Sequence, residues 1–271
     1  MDILKRHHVS ISGAGTQTMV FVHGFGCDQR MWRRVTPAFE SNYQVVLLDL
    51  VGAGKSNLKA YDPERYSSLV AHAEDVLAVL RHLHLHDVVV VGHSVGATIA
   101  MLAAIEEPAR FRQLVLVAPS PRFINDVGYH GGFERSDIEE LLAAMNDNYL
   151  GWSSTITPVI MGHPDRPELA TELNNSFCST DPTIARHFAR VTFLSDNRAD
   201  LPLVQTPSLI LQCANDALAP LAVGKYMHQQ LPDSELVIID TSGHCPHLSA
   251  PEATISAVSR FIDFTRIPTY E

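Results

Sequence analysis

The 271-residue chain predicts an α/β fold built on a largely parallel, doubly wound sheet. Short β-branched runs alternate with longer amphipathic segments. Unbroken apolar runs such as the four valines at 88–91 suit strands buried on both faces. The alternation stops at about Pro119 and resumes at about Pro207, with only helical patterns between.

In chain order, 9–12 and 18–22 predict strands, Met31–Phe39 a helix and 44–48 a strand. Apolar residues at 69, 73, 76, 77, 80 and 83 share one helical face, which predicts a helix from Leu69 to about Leu83. A strand at 87–92, a helix from Val95 to about Glu106 and a strand at 113–117 follow. Phe133–Asp147, Asn148–Ile160, Pro167–Phe177 and Pro182–Leu194 predict four short helices, punctuated by Pro, Gly and Asp. Then come a strand at 208–212, a helix Leu221–Leu231, a strand at 235–239 and a helix Pro251–Thr265. Residues 1–118 and 207–271 thus form one core, and residues 119–206 a helical lid inserted into it.

Apolar residues make up 46% of the chain, enough for a packed core. A formal charge of −10 argues against nucleic acid and anionic lipid as partners. No apolar stretch approaches the roughly 18 residues of a membrane span, and residues 1–8 do not resemble a signal peptide, so a cytoplasmic location is expected. Cys27, Cys178, Cys213 and Cys245 are scattered without a Cys-x-x-Cys spacing and read as free thiols. Fourteen histidines show no metal-ligand pattern, since the closest pair, His244 and His247, lacks a suitably placed Glu. No metal or organic cofactor is expected.

Gly92-His93-Ser94-Val95-Gly96 fits Gly-x-Ser-x-Gly, a pattern that chance supplies in roughly one chain in ten of this length. Its setting between a valine run and a helix makes it informative. Glycines two residues either side permit a sharp strand-to-helix turn that lifts the Ser94 hydroxyl clear of the sheet. The simpler alternative is a serine capping a buried helix. A hydroxyl needs a base to become nucleophilic. Where a serine stands on such a turn, the acid and then the histidine follow later strands. Asp216, after strand 208–212, and His244, after strand 235–239, meet that order at the same sheet edge. Asp240 and His247 are rivals, and His93 points away from the base position. The loop His23-Gly24-Phe25-Gly26 follows strand 18–22, so the backbone N–H groups of Phe25 and Val95 are the expected oxyanion donors, unless that loop is an ordinary tight turn.

With these residues placed, the chain resembles the α/β-hydrolase superfamily. The segments 21–32, 49–56, 92–97, 119–126, 131–133 and 243–247 look like the RsbQ-type stress-signalling hydrolases of bacteria, whose group includes the plant strigolactone and karrikin receptors. Cys-Ser-Thr-Asp-Pro-x-Ile-Ala-Arg at 178–186 and Val-Gly-Lys-Tyr-Met-His-Gln at 223–229 point to the bacterial branch. The likeness runs from about residue 5 to 265.

The resemblance implies a mostly parallel, eight-stranded-type sheet flanked by helices, with a four-helix lid between strands 6 and 7. It also implies a deep apolar pocket, slow hydrolysis of small hydrophobic esters or lactones, and a signalling role with a PAS-domain serine/threonine phosphatase as partner. By motif match, Phe25, His93, Phe123, Phe133, Trp152 and Phe193 belong to the pocket, with Ile156 where the plant receptors tend to carry an aromatic residue. Read without the resemblance, an aromatic such as Trp152 is ordinary core.

Overall fold

The computed structural model describes residues 2–264. Among them one sheet holds seven strands: β1 (Ser10–Ser12), β2 (Gln17–Val22), β3 (Tyr43–Leu48), β4 (Val88–His93), β5 (Phe111–Val117), β6 (Ser208–Asn215) and β7 (Ser234–Ser242). Their spatial order is β1-β3-β2-β4-β5-β6-β7. Only β1 runs antiparallel, against β3.

Neighbouring residues of one strand serve opposite layers, as the two-residue period of a strand requires. Val20, Leu48, Val90 and Leu116 join Ile99 and Leu77 on one side. Met19, Phe21, Val89 and Val115 join Trp32 and Phe261 on the other. Helices α2 (Leu69–His82) and α3 (Val95–Glu106) cover the first side, and α10 (Pro251–Phe264) the second. Strands buried on both faces explain the unbroken valine run of β4.

The lid comprises α4 (Arg135–Asp147), α5 (Tyr149–Met161), α6 (Pro167–Cys178) and α7 (Pro182–Phe193), each within two residues of its expected bounds. Local chemistry sets the ends. Glu134 and Asp137 form a reciprocal capping box on α4. Asn148 caps α5, which stops at Gly162 in the left-handed conformation. Asp181 caps α7 ahead of Pro182. Helix α5 packs on α6, and α4 on α5 and α7.

The expected strand count and lid position require correction. Among the described residues seven strands are present rather than eight, and the lid lies between β5 and β6 rather than between strands 6 and 7. The segment before β1 folds as a helical turn, α1 (Ile3–Arg6), capped by Asp2, and adds no strand, so each later strand counts one lower. The expected helix Met31–Phe39 is also replaced, by 3₁₀ turns at Gln29–Trp32 and Thr36–Ala38. Pro37 lacks the N–H an α-helix would use there, and Val35 and Thr36 are β-branched. Among the described residues the remaining α-helices are α8 (Leu221–Gln230) and a short α9 (Pro246–Ser249) that sequence patterning did not reveal. Thr265, the expected end of the last helix, lies outside the described residues.

Candidate active site

Ser94 occupies the single residue between β4 and α3, at φ 54° and ψ −122°. A non-glycine residue there is strained and persists only when its surroundings enforce it. The flanking glycines make the turn feasible. A Cβ on Gly92 would lie 2.5 Å from the Gly96 carbonyl oxygen, and one on Gly96 2.5 Å from that of His23. The Ser94 N–H donates to the Val117 carbonyl at 2.9 Å, pinning the turn to β5.

Three distant residues converge here. The Ser94 hydroxyl lies 2.8 Å from His244 Nε2, and His244 Nδ1 lies 2.7 Å from Asp216 Oδ2. All three are buried. Asp216 directly follows β6, and its other oxygen accepts the N–H groups of Leu218 and Ala219 at 2.8 and 3.1 Å. With Nδ1–H committed to a carboxylate, Nε2 is left as the acceptor for the serine hydroxyl.

The backbone of His244 is held from two sides. Its N–H donates to the Ile160 carbonyl of α5 at 2.8 Å, so a lid helix end fixes it from above. Its carbonyl accepts from His93 Nε2–H, also at 2.8 Å, which ties it to the residue before Ser94. Burial keeps the His93 ring well below the usual histidine range, hence neutral. His93 is therefore a positioning group, a role its sequence place did not disclose.

The rivals stand apart. Asp240 is exposed on β7. His247 is buried with its ring 4.7 Å from Trp32 and 4.4 Å from His93, and burial lowers its pKa to about 3. The N–H groups of Phe25 and Val95 make no turn or loop hydrogen bond among the described residues, and both residues border the Ser94 region, after β2 and at the start of α3.

An apolar cavity opens onto Ser94 and His244. Of the residues expected on its wall, Phe25, His93, Phe123, Trp152, Ile156 and Phe193 line it. Phe133 does not. Its backbone is paired with Phe123 and Asn125, and its side chain packs into the apolar clusters alongside. Leu141, Leu173, Phe177, Thr192 and Leu218 also line the cavity and were not anticipated. The helical period of Leu169, Leu173 and Phe177 marks a buried face but cannot say whether it meets core or cavity.

All four cysteines are unpaired by disulfides. Cys27 and Cys245 line the cavity, and burial pushes both thiols up, so they stay protonated. Among the described residues, His93, Cys245 and His247 offer ligand atoms within 4.8 Å of one another. Of these, His93 Nε2 already donates to the His244 carbonyl.

Among the described residues no helix is long and apolar enough to cross a membrane. The profile of the Alpha/beta hydrolase family matches residues 19–257. A karrikin insensitive 2 receptor of Petunia hybrida is 39% identical over 95% of this chain and 96% of its own length. A strigolactone esterase of Pisum sativum is 41% identical over 92% of this chain and 94% of its own length. The solved structure of a hydrolase from Oleispira antarctica superposes with a TM-score of 0.94 at 42% identity, covering 97% of this chain and 96% of that one. The chain belongs to the alpha/beta hydrolase family.

Proposed function

We propose that the protein is a serine hydrolase that cleaves small hydrophobic carboxylic esters or lactones through an acyl-enzyme. Ser94 Oγ attacks the carbonyl carbon while its proton passes to His244 Nε2. Asp216 holds the imidazole in the required tautomer and stabilises the imidazolium. The oxyanion rests on the N–H groups of Phe25 and Val95. Collapse breaks the bond to the leaving alcohol, which takes the proton from His244. A water then gives its proton to His244 and attacks the acyl carbon, releasing the acid and restoring Ser94.

The observation that carries this is the continuous hydrogen-bonded relay of 2.8 and 2.7 Å from Ser94 through His244 to Asp216, two members of which line an apolar cavity. The test is labelling of the folded protein with a fluorophosphonate, then a screen of p-nitrophenyl esters and lactones of increasing length. One adduct on Ser94, absent from Ser94→Ala, is the expected result; a wild type that stays unlabelled sinks the proposal.

A second reading, compatible with the first, is a ligand-gated signalling protein of the RsbQ type. The hydrogen bond from the His244 N–H to the lid carbonyl of Ile160 favours it, because it couples the site to an outer helix. The receptor names of the plant relatives add to it. Those names lend no support to a PAS-domain phosphatase as the partner. Binding of a lactone to Ser94→Ala that leaves amide exchange in α5 unchanged would count against the coupling.

A further inference from the structure

Thr192 lies in the last turn of α7 and lines the cavity at 2% exposure. Its hydroxyl oxygen has no hydrogen-bond partner in the protein. Threonine within a helix commonly returns its hydroxyl to the carbonyl one turn back, and here it does not. The backbone beside it is fixed, since the Thr192 carbonyl accepts both the N–H and the hydroxyl of Ser195, at 3.3 and 2.8 Å. The lid wall around it is apolar, formed by Leu141, Trp152, Ile156, Leu173, Phe177 and Phe193. A buried hydroxyl left unpaired is unfavourable, and a ligand oxygen in the cavity would complete it.

We infer that Thr192 determines substrate specificity by donating its hydroxyl hydrogen to a second oxygen of the substrate, away from the carbonyl that Ser94 attacks. The preferred substrates are then esters or lactones whose otherwise apolar body carries an ether, keto or ring oxygen. Pure hydrocarbon esters leave the hydroxyl unpaired. The inference rests on the Ser94 hydrolase reading for the identity of the reacting group. It adds a reader on the lid to the chemistry on the sheet edge.

The test uses p-nitrophenyl hexanoate and its three ether isosteres, in which oxygen replaces the methylene at acyl position 3, 4 or 5. Wild type, Thr192→Val and Thr192→Ser are compared. Valine keeps the shape and removes the donor. For at least one isostere, the ratio of its kcat/KM to that of hexanoate falls roughly 3- to 10-fold in Thr192→Val, the worth of one neutral hydrogen bond. The change lies in KM, and Thr192→Ser recovers the ratio. Ratios that stay equal in wild type and Thr192→Val at all three positions overturn the inference. A failure of the hydrolase reading looks different, with no turnover of any ester and no fluorophosphonate adduct. The same ratios are then read from thermal stabilisation of the wild type and Thr192→Val by the four corresponding methyl esters.

Discussion

The floor of the cavity and its roof satisfy their polar groups in different ways. On the floor, Ser94, Asp216 and His244 sit at the ends of β4, β6 and β7, and backbone hydrogen bonds brace each of them. The roof consists of short helices whose cavity-lining side chains are mainly apolar, with the Thr192 hydroxyl among them unpaired. Strand ends hold reacting atoms to the tolerance that chemistry demands. Helix faces can vary in shape without disturbing that geometry. The proposed function thus assigns bond cleavage to one layer of the molecule and selectivity to another.

Breaking the floor has the largest expected effect. Ser94→Ala lowers ester kcat by about 10⁶, in keeping with other serine relays, while the unfolding midpoint stays close to that of wild type. Asp216→Asn lowers kcat by about 10⁴, because an amide favours the wrong imidazole tautomer. Steady-state kinetics with a p-nitrophenyl ester check both, and a loss below tenfold for Asp216→Asn would remove it from the relay.

Acid stability tests the buried histidines that pack beneath both floor and roof. His72, wedged between Tyr66 and Phe188 of α7, and His247 have pKa values lowered to about 3 by burial, and His93 lies well below 6.5. These rings are neutral when folded, whereas in the unfolded chain histidine titrates near 6.5. Below that pH the unfolded state binds more protons, so stability falls with acid by up to roughly 1.4 kcal/mol per pH unit for each ring. Above about pH 7.5 the three rings contribute no slope. Urea unfolding between pH 7.5 and 5 measures this, and His247→Phe, which keeps the stack on Trp32, removes about a third of the three-ring slope. An unchanged slope would show that His247 is not neutral in the fold.

Two smaller effects sharpen the contrast. Gly96→Ala destabilises by about 1–3 kcal/mol in urea, since its methyl meets the His23 carbonyl. The helix-propensity gain of about 1 kcal/mol opposes but does not cancel this. Ile156→Trp on the roof leaves acetyl ester turnover near wild type and lowers kcat/KM for hexanoyl esters about tenfold by filling the cavity. Equal losses on both esters would mean that the roof shapes the chemistry too.

Much of the floor was legible in the sequence because side-chain types and order encode it. Gly92 and Gly96 bracket Ser94, and Asp216 and His244 each follow a recognisable strand. The bracing was not legible. The Ile160 carbonyl that holds His244 is backbone and leaves no residue signature. His93 acts through the backbone of a residue far along the chain, a contact that only the fold creates. The turns at 29–38 carry the apolar spacing of a helix, and Pro37 overrides it. On the roof, periodicity located α4 to α7 but could not distinguish Phe177, which faces the cavity, from Phe133, which packs beside it.

Strands β5 and β6, which precede and follow the lid, are immediate neighbours, with Leu114 opposite Ser208 and Val117 opposite Leu211. The inserted segment therefore leaves and re-enters the sheet through one doorway. Excising it and splicing in a roof from another hydrolase would alter a single pair of junctions and none of the strand register. Such chimeras offer a route to new substrate preferences on an inherited reaction centre, provided the donor roof brings its own carbonyl to meet the His244 amide.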